Sequence, residues 1–220
     1  MREWVGMILV WRVAKTARYI AAGLIVLLGF LVFPDQALSD EKANQANRFI
    51  EDLSVQAVDA LTDPKISRGE RETRFRKLLG QHFAVSTIGQ WVLGRYWKKA
   101  TLEERKEFLS LFEDLLVVTY VNRFERYSGE TLSVEKTLVD EKSGDAVVFS
   151  HLNRPDGSAV VSVGWRLRSK GESFKVVDVM VEGVSMGQTQ RSEFASVIRK
   201  HGGKVRGLLA ELRERVKGNA

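Results

Sequence analysis

The 220-residue chain contains no cysteine. That excludes disulfides, thiolate nucleophiles, cysteine-ligated zinc or iron–sulfur centres and a lipid-modified cysteine anchor. Histidine is scarce: His82, His151 and His201 stand apart, none beside a second ligand at metal-binding spacing. No glycine-rich loop follows a strand pattern in a phosphate-cradling arrangement, and no G-x-S-x-G elbow occurs. There is no internal repeat and no low-complexity tract. The basic surplus is modest, a net charge of +6 dispersed along the chain, with Lys98-Lys99 the tight pair beside aromatics. A nucleic-acid binder would gather its basic residues on one face among stacking aromatics. These absences predict a protein without cofactor or metal, without nucleic acid, and short of reaction chemistry.

The N-terminus is informative. Arg2, Arg12, Lys15 and Arg18 precede an apolar run from Tyr19 to Phe33, followed by Pro34 and by the small residues Ala37 and Ser39. This layout is that of a secretory signal cleaved between Ser39 and Asp40. The run of 15 residues falls short of the roughly 20 that span a bilayer. The basic region is long and carries Trp4 and Trp11, for which a start at Met7 or an uncleaved anchor is the alternative. Residues 1–39 are therefore expected to be a signal peptide, and residues 40–220 a single domain.

Within that domain the hydrophobic period is first helical. Asp40 opens a stretch with Phe49, Ile50, Leu53, Ala57 and Leu61 on one side, ended by Asp63-Pro64. Ser67 with Glu70, and Thr101 with Glu104, are capping boxes. The first starts a helix bearing Phe75, Leu78 and Leu79; the second starts a long one, about Leu102 to Tyr127. A short helix, about Ser86 to Leu93, lies between them and stops at Gly94. From Thr131 the period becomes two. Four strands are predicted, over 131–139, 145–152, 159–168 and 173–182, joined by short turn-forming connections that suit antiparallel hairpins. Val161, Val163, Trp165 and Leu167 share one face of the third strand, and the fourth is apolar on both faces around Asp178. Helices return from Ser185 to His201 and after Gly202-Gly203. The fold class is α+β: an antiparallel four-stranded curved sheet with helices packed on one side.

Asp178 is an acid inside an apolar strand, and burial in such a place raises a carboxyl pKa. One reading makes it the acid/base of a small enzyme acting on an apolar substrate with Tyr120 or His151; the other makes it a structural ion-pair or capping group. Ser185 is read as a helix cap. The dense aromatic stripe of Trp91, Tyr96, Trp97, Phe108, Phe112, Tyr120 and Phe124 is either core or the wall of a ligand cavity, since helical spacing does not separate the two. A membrane-tethered adaptor whose stripe is all core is the third class.

Two stretches together resemble the MlaC, or toluene-tolerance auxiliary, family of periplasmic phospholipid-binding proteins. The first is Gly94-Arg95-Tyr96-Trp97, Ala100-Thr101 and Glu103-Glu104-Arg105, running through Phe108, Phe112 and Leu115-Leu116 to Thr119-Tyr120. The second is Phe174 to Ser185, with its Val177-Asp178-Val179 centre and Glu182-Gly183-Val184-Ser185 end, followed by Arg191-Ser192-Glu193-Phe194. Phe174 stands where the family often has Trp, and Gln190 where an aromatic is common.

The resemblance implies a periplasmic carrier, not an enzyme, with sheet and helices enclosing an apolar cavity for the acyl tails. Such a carrier moves glycerophospholipids between an outer-membrane lipoprotein complex and an inner-membrane ABC transporter bearing an MCE-domain protein, maintaining outer-membrane lipid asymmetry. Asp178 then belongs to the sheet motif. The expected lipid-binding residues are Trp91, Tyr96, Trp97, Phe108, Phe112, Leu115, Leu116 and Tyr120, with the strand residues Phe149, Val161, Val163, Trp165, Val177, Val179 and Val181. Arg95, Lys98 and Lys99 are the expected headgroup contacts.

Overall fold

The structure is a computed structural model that describes residues 34–158, 160–171 and 173–219. The predicted signal sequence over 1–33 lies outside them. Residues Ser39–Ala220 form one compact unit, which holds the fold discussed below. Among the described residues, six helices, a 3₁₀ turn and five strands follow in order. They are α1 (Pro34–Leu61), α2 (Arg68–His82), α3 (Val85–Leu93), the 3₁₀ turn (Gly94–Lys99) and α4 (Leu102–Phe124), then β1 (Thr131–Val139), β2 (Ala146–Asn153), β3 (Val161–Lys170), β4 (Ser173–Val181) and β5 (Val184–Ser185), and finally α5 (Met186–Lys200) and α6 (Val205–Asn219). The backbone helix of α1 runs through the Ser39–Asp40 junction. No helix among the described residues is long and apolar enough to cross a membrane.

The predicted helix starts are present, with one difference. At α4 the capping box is complete, Thr101 accepting from the Glu104 amide and Glu104 from the Thr101 amide. At α2 only half of it forms: Ser67 accepts from the Glu70 amide, while the Glu70 carboxylate pairs with Arg74 one turn on. An i,i+4 arginine competes for the carboxylate that would otherwise reach back to the cap.

The sheet is an open antiparallel meander in the order β1-β2-β3-β4-β5, one strand more than the four predicted. The fifth arises because Glu182 and Gly183 both adopt positive φ, 51° and 76°, as a two-residue hairpin turn requires. Glu182 is held there from both sides. Its amide donates to Ser162 O at 2.9 Å, and its carboxylate accepts from the Ser162 amide at 2.6 Å.

Two bulges set which side chains face which way. On β1 the register shifts between Val134 and Lys136; on β4 it shifts around Val177, since Leu167 pairs with Val176 but Arg166 with Asp178. The extra residue restores the alternation. Phe174, Val176, Val179 and Val181 therefore share one face of β4, and Asp178 and Met180 take the other. This resolves the apparent two-sidedness of that strand.

Three buried clusters hold the domain together. The largest joins α3, the 3₁₀ turn, α4, α5 and α6, centred on Phe108, Phe112 and Phe194, whose rings lie 5.8–6.3 Å apart. The second packs Ala46, Ile50 and Leu53 of α1 against Ala146, Val148, Leu167, Phe174 and Val176 of the sheet. A small third cluster joins Leu79 of α2 to Val117 and Val121 of α4. Arg71, almost fully buried, ties the helices: it donates to Leu61 O at 2.7 Å and Asp63 O at 3.2 Å, and pairs with Glu125 at 2.8 Å.

Truncating Phe194, fully buried in the largest cluster, should cost about 3–5 kcal/mol. Urea unfolding of Phe194→Ala should show a lowered midpoint with an unchanged slope. His82 offers a second check. Partial burial, and then the charge of Lys175, hold its pKa below the ordinary 6.5. Below that pH the unfolded chain binds more protons than the folded one, so this contribution to stability is complete above about pH 6.5 and falls as the pH drops through it. His82→Gln should flatten that part of the pH–stability curve; an unchanged slope would assign it elsewhere.

Candidate functional site

Residues directly paired across antiparallel strands point to the same face. The register therefore stacks the inner face of the sheet in rows. Ala146, Leu167 and Val176 form the lowest, and Val148, Trp165 and Val179 the next. Above them come Ser150, Val163 and Val181, flanked by Val134, then Leu152 and Val161, flanked by Leu132. Helix α1 covers the lower rows, whose Ala146, Val148, Leu167 and Val176 are buried. In the upper rows Leu132, Val134, Leu152, Val161, Val163 and Val181 are only half-buried. With rows about 7 Å apart along the strands, the result is an apolar surface about two rows deep that the core leaves partly uncovered.

One polar chain crosses this face. The Trp165 indole N–H donates to Ser150 Oγ at 3.0 Å, and Ser150 Oγ donates onward to Val163 O at 3.1 Å. Ser150 is fully buried, and both functions of its hydroxyl are satisfied, so it adds no polar demand to the surface above it. The bond fixes the indole at the level where α1 stops covering the sheet. Trp165 thus forms the lower boundary of the uncovered patch.

The sequence-predicted lipid residues distribute unevenly. Val161, Val163, Trp165, Val179 and Val181 lie together on the inner face. Val177 occupies the bulge beside them. Phe149 falls on the opposite face, opposite Gly164 and Lys136, with the Lys136 ammonium 5.1 Å from its ring centre. Tyr96, Phe108, Phe112 and Leu115 are buried in the largest helical cluster, with Trp97 and Leu116 packed against it. Tyr120 is half-buried outside the three clusters, its ring 5.4 Å from the Arg123 guanidinium. Trp91 is 40% exposed. The helical stripe is therefore largely interior to the helical layer, a distinction that period alone does not contain. Leu132, Val134, Leu152 and Ser150 were missed. Pairing β2 against the alternating β3 would have found Leu152 and Ser150, since each is opposite a residue already assigned to that face.

Two open recesses lie away from the sheet face. One of about 430 Å³ is lined by Val118, Thr119, Asn122 and Arg123 of α4 and by Arg126 just beyond its end. The other, of about 400 Å³, is lined by His201, Gly207, Ala210, Glu211, Glu214 and Arg215.

The predicted headgroup residues sit around the 3₁₀ turn, all exposed. Arg95 donates to the Tyr96 hydroxyl at 3.1 Å, and the Lys99 ammonium lies 5.9 Å from the Tyr96 ring centre. The hydrogen bond from Arg95, with the charges of Arg95, Arg199 and Lys99, holds the phenol below its usual pKa. Asp178 is occupied structurally. One carboxylate oxygen accepts from Ser185 Oγ at 2.7 Å and the other from the Gly187 amide at 3.1 Å, fastening the start of α5 to β4. Ser185 caps α5 by accepting from the Gln188 amide. His151 pairs instead with Glu135 at 3.2 Å.

An open five-stranded meander, with one helix across half of its inner face and α2, α3 and α5 against β4, defines a class of α+β protein also seen in a solved structure. That protein is a phospholipid-binding protein from Ralstonia solanacearum in complex with a phospholipid. It superposes with a TM-score of 0.69 at 26% identity, over 79% of this chain and 98% of that one. The chain belongs to the MlaC family, whose model, described as MlaC protein, matches residues 51–214. Among curated relatives, the intermembrane phospholipid transport system binding protein MlaC of Haemophilus influenzae is 24% identical over 71% of this chain and 72% of its own length. The toluene tolerance protein ttg2D of Pseudomonas putida is 27% identical over 49% of each.

The Ser150 hydroxyl gives a direct test of the face's construction. Ser150→Ala leaves the indole N–H without its partner and should cost about 1–3 kcal/mol. Ser150→Thr should keep the bond at a smaller loss, read by thermal unfolding and Trp165 emission.

Proposed function

We propose that this protein is a non-catalytic phospholipid carrier of the periplasm, shuttling glycerophospholipids between the outer and inner membranes and so maintaining outer-membrane lipid asymmetry. The observation that carries this reading is the uncovered part of the inner sheet face, where paired apolar side chains stand outside the core. The phospholipid held by the Ralstonia relative and the transport role named for the Haemophilus relative support it. The acyl tails lie along Val161, Val163 and Val181, with Leu132, Val134 and Leu152 beside them and Trp165 and Val179 as the floor. The partners are an outer-membrane lipoprotein complex and an inner-membrane ABC transporter with its MCE-domain protein. The N-terminal segment acts as the export signal.

The physics suits a carrier. Each buried CH₂ is worth about 0.8 kcal/mol, so a free diacyl lipid leaves a bilayer for water at prohibitive cost. A site as apolar as the bilayer interior makes transfer nearly neutral, and direction then comes from the partners. Such a site needs adaptable apolar walls and few polar groups. The acid/base alternative draws no support from Asp178, whose oxygens serve Ser185 and Gly187.

The test is native mass spectrometry of the protein purified without detergent, in the form that producing cells accumulate. One diacyl phospholipid per chain, released on denaturation, is expected. A clean apo mass after incubation with lipid vesicles would falsify the reading. Val163→Asp and Val181→Asp should each reduce bound lipid at least tenfold. Leu138→Asp, at a position 58% exposed on β1, should leave it unchanged.

A further inference from the structure

A second surface stands apart from the uncovered sheet face. It begins at Trp91, near the end of α3. The Arg191 guanidinium lies 5.3 Å from the Trp91 ring centre and presses on the chain at Gly94, where a Cβ would come within 3.1–3.2 Å of it. Gly94 is at φ 57°, so both the backbone and this close approach require glycine there. Arg95 follows, lying over the Tyr96 ring at 5.1 Å while donating to its hydroxyl. Lys98 and Lys99 are exposed on the same turn, and Arg199, exposed on α5, adds its charge to the phenol. The patch is continuous from an exposed indole to five cations.

What distinguishes it is the gathering of unpaired cations around an exposed indole. Elsewhere many arginines are matched, Arg71 with Glu125, Arg74 with Glu70, Arg76 with Glu113 and Asp114, Arg213 with Glu107, and Arg215 with Glu193 and Glu211, while Arg105, Arg123, Arg126, Arg154, Arg166 and Arg206 form no ion pair among the described residues. Among the described residues, Arg95, Lys98, Lys99, Arg191 and Arg199 form no ion pair with a carboxylate. Glu193, close to Arg191 on α5, is engaged by Arg215, and Glu104 is engaged in the α4 cap.

A set of unpaired cations around a half-exposed tryptophan is the chemistry of a membrane interface. The indole partitions to the boundary between headgroups and acyl chains. Cations near an anionic leaflet contribute about 1 kcal/mol each. An acidic protein surface would satisfy the cations and could also seat the indole; the bilayer is preferred because the cations around Trp91 are exposed together, as a leaflet of phosphates would meet them. We infer that this Trp91-to-Arg199 surface docks the protein reversibly on anionic phospholipid bilayers, the cations meeting lipid phosphates and Trp91 seating at the interface. The partner is the bilayer surface itself, distinct from the lipid molecule proposed for the sheet face.

Cosedimentation tests it, using the protein in the form cells accumulate. Vesicles of phosphatidylcholine alone are compared with vesicles containing phosphatidylglycerol, at low salt and at about 1 M, where screening shortens to ~3 Å. Binding is expected only with phosphatidylglycerol and only at low salt. Lys98→Gln with Lys99→Gln should weaken it roughly 25-fold, about fivefold per cation, and Arg191→Gln by about fivefold. A charge-matched control, Lys65→Gln with Lys142→Gln, removes exposed lysines from outside the patch and should change binding less than twofold. Equal binding to neutral vesicles, equal loss in the control, or no binding except to an acidic protein would each overturn the inference. Sedimentation reads the protein and mass spectrometry reads the cargo, so this surface and the carrier reading fail independently.

Discussion

The bulge at Val177 is the constraint from which the rest of the architecture follows. Without it, the alternation of β4 would place Phe174 and Val176 on one face and Val179 and Val181 on the other. With it, all four face inward, completing rows that run across β2, β3 and β4. The same extra residue turns Asp178 outward, where its carboxylate receives the Ser185 hydroxyl and the Gly187 amide and so positions α5. One inserted residue therefore builds the apolar face and anchors the helix that carries Phe194 into the largest core cluster.

The division of apolar surface between stability and function follows from where α1 lies. It buries the lower rows and leaves the upper ones uncovered, while a separate helical cluster around Phe108, Phe112 and Phe194 is complete without the sheet. A domain whose largest core is closed among helices alone can leave an apolar part of its sheet open without losing its fold. The Ser150–Trp165 bond marks the border, and its full satisfaction keeps a polar group from intruding on that surface. On the carrier reading, the protein's affinity for lipid is the unfinished part of its own core.

Charge is partitioned in a similar way. Arg76 of α2 and Arg213 and Arg215 of α6 pair with carboxylates of neighbouring helices, whereas the cations of the 3₁₀ turn and the adjoining face of α5 form no such pairs. Overall composition does not show that these cations stand together.

The sequence by itself determined the α+β class, the helix starts at Thr101 and Ser185, the alternation of β3 and the family, because each is written in local periodicity or in contiguous motifs. It also placed Val161, Val163, Trp165, Val179 and Val181 among candidates that proved to share a face. Local pattern did not reveal the fifth strand, which depends on a positive-φ glutamate held by Ser162, nor the half-formed cap at Ser67. It assigned Phe149 to the same set as Val163, although pairing turns them to opposite faces. It did not separate Phe108 and Phe112, sealed among helices, from apolar residues left uncovered. Periodicity reports that a face is apolar. Whether another element covers it is decided by long-range packing, and only the tertiary structure contains that information.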